Sequence, residues 1–260
     1  MTTDHILVNA MGHVTTVTLN RPEKLNSLTP QMYETLIAVF ERLADDPDVR
    51  VVILTGAGAN FCSGSDIGAL DEIHHSHLPV AAEKAIAAFP KPVIAAIRGN
   101  CLGGGCQLAT AADIRLSTDD AYFGVPPAKL GIVYPLSATK RLISLIGSAG
   151  TKYLIYTGDR INATRALHLG LVDELIMPGL LEERSQQLAT TIANRSQLTL
   201  QATKEIVNAE TDGTLTPDLV MDWVRRAAEG PDLPEGMAAF AARRRPEFTW
   251  SRNADIPEKS

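Results

Sequence analysis

The sequence is poor in cysteine, lacks a long hydrophobic run and carries no excess of positive charge. Its 3 cysteines, Cys62, Cys101 and Cys106, have no paired spacing, which argues against a disulfide framework and predicts buried, reduced thiols in a cytoplasmic protein. No apolar stretch reaches the ~20 residues of a membrane-spanning helix, so no membrane partner is expected. The formal net charge of −6 likewise argues against a nucleic-acid partner.

What the sequence does contain is an alternation of strand-like and helix-like segments. Runs rich in Val, Thr and Ile predict strands at 13–20, 49–56, 92–97, 112–117 and 170–177. A helix is predicted to begin at Pro30, because Thr29 is a favourable N-cap and proline fits the first helical position. This alternation indicates an α/β layer fold with parallel strands.

The second half changes character, because helical patterns dominate near and after the last predicted strand. They cover 180–195, 199–210, 216–229 and 235–245. We therefore predict an α/β core over residues 1–195 and a helical C-terminal region over residues 196–260. Leu219, Trp223 and Ala227 share one apolar face there, which we expect to pack between subunits.

Three consecutive glycines, Gly103, Gly104 and Gly105, follow the apolar segment 92–97. One interpretation is a tight turn between a strand and a helix. Another adds chemistry, because a helix beginning near Gly105 leaves unpaired N–H groups that stabilise an anion. A P-loop or a Rossmann cofactor site is not indicated, because no Lys-Ser/Thr follows and the G-x-G-x-x-G spacing is missing.

A second glycine-rich turn follows the strand predicted at 49–56 and leads through Gly64 to Ser65 and Asp66. Neither Ser63 nor Ser65 lies in a G-x-S-x-G elbow, so both are interpreted as turn residues rather than nucleophiles. Two such turns at strand ends suggest an oxyanion hole built from two backbone N–H donors.

Five segments together are similar to the landmarks of one known family. They are NRPEKLNSL, VVILTGAGANFCSGSDI, KPVIAAIRGNCLGGGCQLATAADIRLS, YTGDRINATRALHLGLVDEL and EGMAAFAARRRPEF. In this order, over residues 5–248, they resemble the enoyl-CoA hydratase/isomerase (crotonase) superfamily. The resemblance implies a crotonase-like spiral of ββα units with a C-terminal helical trimerisation region, assembled as a homotrimer or hexamer.

The resemblance also implies a CoA thioester substrate, with no cofactor beyond that CoA and no metal. The thioester oxygen would be bound by the N–H groups of Ser65 and Gly104, so that the Ser65 side chain is expected to matter little. Positions implied to contact CoA are Lys24, Leu25, Ser65, Asp66, Ile67, Gly68 and Gly104, with Phe240 and Arg243 contributed by a neighbouring subunit. A solvated helix face remains the alternative for the basic run 243–245.

Two positions depart from the family pattern. Hydratases of the family use two glutamates to hold and activate water, and these positions are Gln107 and Pro127 here. Neither side chain can take or give the required proton. The segment FGVPPAKLGIVY instead resembles methylmalonyl-CoA decarboxylases, in which Tyr134 would donate a proton or orient the carboxylate. The alternative is a packed core tyrosine. Those enzymes keep Glu at position 107 and have His at position 65, so this match is partial.

His74, His75 and His77 raise the possibility of a metal site, but their spacing matches no standard one. A solvated loop or a contact to the acyl pocket are the other interpretations. Three functions therefore stay open. We favour an enzyme that stabilises an enolate without orthodox hydration, such as a decarboxylase. A hydratase or isomerase with atypical residues and a non-catalytic acyl-CoA-binding subunit are the alternatives.

Overall fold

The computed structural model describes residues 4–252, and these form nine strands and ten α-helices. The strands are β1 Ile6–Met11, β2 Val14–Leu19, β3 Val51–Gly56, β4 Val93–Ile97, β5 Asn100–Leu102, β6 Ile114–Thr118, β7 Tyr122–Gly124, β8 Ile161–Asn162 and β9 Glu174–Ile176. The helices are α1 Pro30–Asp45, α2 Leu70–His75, α3 Leu78–Ala87, α4 Gly104–Ala111, α5 Leu136–Thr157, α6 Ala163–Leu169, α7 Leu181–Ala193, α8 Gln197–Asp212, α9 Pro217–Glu229 and α10 Asp232–Ala241.

The main sheet has six strands in the order β1-β2-β3-β4-β6-β9. Only β1 and β2 pair antiparallel; the other neighbours are parallel, as the alternation of strands and helices predicts. The residues of β4 are all buried, because α-helices cover both faces of the parallel part. The strands β5, β7 and β8 form a second sheet, whose first strand follows β4 directly in the chain.

The predicted strands and the first predicted helix are present. Helix α1 begins at Pro30, and the Thr29 hydroxyl accepts a hydrogen bond from the Met32 amide at 3.3 Å. This N-cap satisfies one of the free donors of the first turn. Met32 and Leu36 are buried in the core on one face of the helix, which is the face that the apolar spacing predicts.

The segment after Asp66 corrects the loop interpretation of the histidines, because they lie in and beside helices. Helix α2 ends with His74 and His75, and α3 begins directly after His77. Asp71 and Glu72, in the first turn of α2, complement the helix dipole. Helix α3 then packs against the core through a buried face.

The C-terminal helices pack against their own chain, which corrects a second prediction. Leu198, Trp223 and Trp250 form a buried cluster, with Leu219 and Ala227 partly buried against it. The face that we expected between subunits is therefore occupied within one subunit. The predicted boundary at residue 195 falls between α7 and α8 and stays a prediction; residues 253–260 of the predicted C-terminal region lie outside the described residues.

Candidate active site

The two glycine-rich turns lie side by side because they follow neighbouring parallel strands, β3 and β4. Cys62 in the first turn pairs with Cys101 in β5 as an isolated parallel bridge. The Cys62 amide donates to the Asn100 carbonyl oxygen at 2.9 Å, and the Leu102 amide donates to the Cys62 carbonyl oxygen at 2.9 Å. All three cysteines are free and buried, and burial raises the pKa of Cys62 to about 12.

This pairing brings Ser65 next to Gly104. A Cβ added at Gly104 would lie 3.3 Å from the Ser65 nitrogen, and one added at Gly64 would lie 3.5 Å from the Gly104 nitrogen. The close approach also explains the glycine at position 104, because the same added Cβ would come within 2.6 Å of the Tyr33 hydroxyl. The two residues predicted to supply N–H donors are therefore adjacent.

The N–H groups of Ser65 and Gly104 donate to no acceptor within the described residues. Ser65 forms an isolated parallel bridge with Leu28, but the hydrogen bonds of this bridge involve the neighbours of Ser65. The Leu28 amide donates to the Gly64 carbonyl oxygen, and the Asp66 amide donates to the Leu28 carbonyl oxygen, both at 2.8 Å. In such a bridge the amide of the central residue faces the opposite side. Gly104 opens α4, so its amide belongs to the unpaired first turn. Two free donors thus meet at one place.

Tyr33 holds the Ser65 side chain in place, and the expectation that this side chain matters little to activity stays a prediction. The Tyr33 hydroxyl lies 2.9 Å from the Ser65 Oγ, and the tyrosine is fully buried. Burial raises the pKa of the phenol, so that it stays protonated. The sequence analysis missed Tyr33, although it precedes Leu36 on the buried face of α1.

The Asp66 carboxylate is bound by Arg21, and its predicted contact with CoA stays a prediction. The guanidinium of Arg21 pairs with its Oδ2, and the Gly68 amide donates to its Oδ1 at 2.8 Å. These hydrogen bonds, the one from Arg21 first, hold the pKa of Asp66 below its usual range. The predicted CoA-contact residues Lys24 and Leu25 adjoin this turn, because the Ser63 amide donates to the Leu25 carbonyl oxygen at 3.0 Å.

Ile67 and Gly68 follow Asp66 on the exposed side of this turn, in a short 3₁₀ helix, Ile67–Ala69. Phe240 and Arg243 are not brought to the turns within one chain. Phe240 is 88% exposed at the end of α10, and Arg243 follows it with a φ of 51°. Their predicted contact with CoA from a neighbouring subunit stays a prediction.

Gln107 contacts a buried carboxylate that the sequence analysis missed. Its Nε2 donates to the Oε2 of Glu83 at 2.8 Å, and Glu83 is fully buried. The Ser137 hydroxyl donates to the same oxygen at 2.8 Å, and the Nε of Arg141 donates to Oε1 at 3.0 Å. A signal was present: Glu83 falls on the apolar face of α3 between Ala82 and Ile86, where an ionic group needs partners.

Pro127 and Tyr134 lie on the segment between β7 and α5. Pro127 is buried and opens a short 3₁₀ helix, Pro127–Lys129. The hydroxyl of Tyr134 is buried and has no hydrogen-bond partner in the described residues. Burial raises the pKa of Tyr134, and the neighbouring Cys106 and Glu83 raise it further. The phenol is therefore neutral at physiological pH and free to donate.

The three histidines are not grouped as metal ligands in the described part of the chain. His75 bonds the Asp71 carbonyl oxygen through Nδ1 at 2.8 Å. Within residues 4–252, no three His, Cys, Asp or Glu side chains are grouped so as to hold a metal ion. Within the same residues, no helix combines the length and the apolar character needed to cross a membrane.

Comparison with known proteins identifies the family of this chain. The family model described as enoyl-CoA hydratase/isomerase matches residues 9–251. The chain belongs to the enoyl-CoA hydratase/isomerase family. A protein of Mycobacterium leprae described as a probable enoyl-CoA hydratase is 36% identical over 254 residues, which cover 95% of this chain and 98% of the relative. The (E)-benzylidenesuccinyl-CoA hydratase of Thauera aromatica is 34% identical, with coverage of 94% and 98%.

The fold is likewise that of the family. The crystal structure of an enoyl-CoA hydratase from Bacillus anthracis superposes with a TM-score of 0.87 at 33% identity, covering 94% of this chain and 99% of the other. The predicted crotonase-like α/β fold is confirmed. This member of the enoyl-CoA hydratase/isomerase family therefore combines the shared fold with an amide at position 107 and a proline at position 127.

Proposed function

We propose that this enoyl-CoA hydratase/isomerase family member binds an acyl-CoA thioester and stabilises its enolate in a backbone oxyanion hole. The donors are the N–H groups of Ser65 and Gly104. The observation that carries the proposal is that these two amides are adjacent and donate to no described residue. Preorganised donors of this kind stabilise the negative charge that develops on the thioester oxygen.

The reaction that we favour is loss of CO₂ from an acyl-CoA bearing a carboxylate on Cα. The C–C bond to the carboxylate breaks, its electron pair passes into the thioester enolate, and a proton is then taken up at Cα. This route needs no base to start, which suits Gln107 and Pro127. Tyr134, neutral and without a partner, is the proposed proton donor, and solvent returns its proton.

Hydration of an enoyl-CoA is the second candidate, favoured by Glu83. The Nε2 of Gln107 donates to the Oε2 of Glu83 at 2.8 Å. The amide carbonyl oxygen of Gln107 is then available to orient a water. The names of the relatives from Mycobacterium leprae and Thauera aromatica also support hydration. Glu83 is fully buried and ion-paired with Arg141, which argues against its acting as the base itself.

Mass spectrometry of a panel of acyl-CoAs incubated with the protein separates the candidates. Loss of CO₂ supports the favoured reaction, and a gain of water on crotonyl-CoA supports the second. Binding without any turnover indicates a non-catalytic acyl-CoA-binding subunit. A positioned acid or base contributes about 10²–10⁴-fold, so we expect crotonyl-CoA hydration slower than in a member with both glutamates by at least that factor.

A crystal complex with a bound acyl-CoA tests the oxyanion hole itself. Both nitrogens, of Ser65 and of Gly104, should lie about 2.7–3.1 Å from the thioester oxygen. A thioester bound elsewhere would contradict the proposal, whichever reaction the panel reveals.

We further propose a homotrimer or hexamer assembled through the C-terminal helices. Apolar side chains there are exposed in the single chain; they are Met221, Val224, Leu233, Met237 and Phe240. Exposed apolar surface of this kind is typical of interfaces. Light scattering at micromolar concentration should give a trimer or hexamer, and a monomer would contradict the proposal.

A further inference from the structure

Glu83 is a buried negative charge that three helices satisfy together. It lies on α3, and its donors are Gln107 on α4 and Ser137 and Arg141 at the start of α5. The side chain of Glu83 has no exposed surface, whereas that of Arg141 is 27% exposed. Burying a carboxylate is costly unless charge and hydrogen bonds compensate it, and this cluster supplies both.

The carboxylate determines which way the Gln107 amide faces. An ionised carboxylate only accepts hydrogen bonds, so the amino group of Gln107 must be the end that meets Glu83. The Pro79 carbonyl oxygen accepts from the same Nε2 at 3.4 Å. The carbonyl oxygen Oε1 of Gln107 accepts from no side chain or backbone group of residues 4–252. It is the end left for a ligand.

Gln107 follows Gly104 by three residues on α4, so both lie on the same helix face. We propose that Glu83 is a positioning residue of the acyl site, which fixes the Gln107 amide with Oε1 directed towards the bound acyl group. The inference rests on the proposed function, because it requires an acyl-CoA at the two free amides. An acyl group with a hydroxyl donor gains a hydrogen bond to this oxygen that an unsubstituted chain cannot make.

The same contact makes positions 83 and 107 a matched pair. A glutamate at position 107 would place a second carboxylate against Glu83, where like charges disfavour joint ionisation. The amide is therefore the neutral donor that a buried carboxylate at position 83 requires. The charged and titratable groups around the pair are Arg141 on α5, Tyr134 before α5 and Cys106 on α4.

Calorimetric binding of two probes, 3-hydroxybutyryl-CoA and butyryl-CoA, tests the positioning role. The wild type should bind the hydroxylated probe about 3- to 10-fold more tightly, the range of one hydrogen bond. Glu83→Leu releases the amide, so this ratio should fall towards one. Ser137→Ala, the matched control, removes the other donor to the same carboxylate oxygen and should keep the wild-type ratio.

The variants at position 107 decide whether Glu83 acts through Gln107. Gln107→Leu should also bring the ratio to about one, and adding Glu83→Leu should change it no further. A wild-type ratio retained in Glu83→Leu, or equal binding of both probes by the wild type, would overturn the inference. If neither probe binds the wild type, the proposed acyl-CoA function fails instead, and the pairing is then judged from stability alone.

Thermal unfolding provides that second measurement, on the single variant Gln107→Glu and on the double variant that exchanges the residues at positions 83 and 107. In Gln107→Glu one of the two carboxylates must hold a proton when folded. Its pKa is then raised above the unfolded value of about 4.3, so stability is full below that pH and is lost as pH rises towards 7. Glu83→Gln/Gln107→Glu should recover the melting temperature and remove this pH dependence. A Gln107→Glu variant as stable as the wild type from pH 4 to 7 would overturn the pairing.

Discussion

The two ends of the candidate site are built in different ways. At one end, Ser65 and Gly104 offer backbone N–H groups from two turns that follow adjacent parallel strands. At the other, Gln107, Glu83 and Tyr134 offer side chains from three separate segments. The backbone end depends on where two strands stop, whereas the side-chain end depends on how helices pack. Substitutions should therefore affect function and stability differently at the two ends.

The largest effect is expected at the backbone end, from Gly104→Ala. The new Cβ would lie 2.6 Å from the Tyr33 hydroxyl and 3.3 Å from the Ser65 nitrogen, so one turn must move and one donor is lost. Losing one oxyanion donor lowers kcat by about 10²–10³-fold. Gly179→Ala is the control, because a Cβ there meets nothing within 4 Å. Steady-state turnover of the substrate found in the acyl-CoA panel is the measurement, and unchanged turnover in Gly104→Ala would exclude this amide from the site.

Tyr134→Phe tests the side-chain end and should separate function from stability. Turnover should fall by about 10²-fold if the hydroxyl donates the proton. The melting temperature should stay the same or rise, because the lost hydroxyl is buried and bonds no described residue. The control is Tyr156→Phe, which alters a tyrosine that is 73% exposed. A lower melting temperature with normal turnover would instead indicate a packed core tyrosine.

Ser65→Ala and Tyr33→Phe should have the opposite effect, lowering stability while turnover changes little. Each breaks the hydroxyl pair at 2.9 Å, and each should lower the free energy of unfolding by about 1–2 kcal/mol. Turnover should stay within a few-fold of the wild type, because the proposed donor is the Ser65 backbone amide. The double variant should lose less stability than the sum of the two. Chemical denaturation measures this, and a hundred-fold loss of turnover in either variant would make the hydroxyl pair part of the chemistry.

The smallest effect is expected from Asp66→Asn, as a small loss of stability near neutral pH that disappears at low pH. The pKa of Asp66 is depressed by Arg21 and by the Gly68 amide. Its contribution is thus present above the unfolded pKa of about 3.9 and is lost as pH falls towards the lower folded value. The variant should show a shallower loss of stability on acidification than the wild type. Asp120→Asn, at an exposed carboxylate, should keep the wild-type slope. Melting temperatures between pH 2 and 6 provide the comparison.

Local sequence determined the framework of this protein. Runs rich in Val, Thr and Ile predicted β2, β3, β4, β6 and β9, and β3 and β4 are nearly continuous apolar runs because strands buried on both faces favour apolar residues throughout. Thr29 and Pro30 marked the start of α1 because an N-cap is a local property. The two turns of the proposed oxyanion hole could be predicted for the same reason, because glycines after two strands are visible in the local sequence. Strand β1 was not predicted, and neither were the short strands β5, β7 and β8, because two or three residues carry no periodicity.

Only the tertiary structure determined which side chains contact each other. It placed Trp223 against Trp250 in the same chain rather than between subunits, and it gave Ser65 a partner in Tyr33, which lies 32 positions away in the sequence. It also joined Glu83 to Gln107, Ser137 and Arg141. From the local sequence, one can predict only that a buried charge needs partners. Which residues supply them depends on the packing of α3, α4 and α5, and so on contacts between residues distant along the chain.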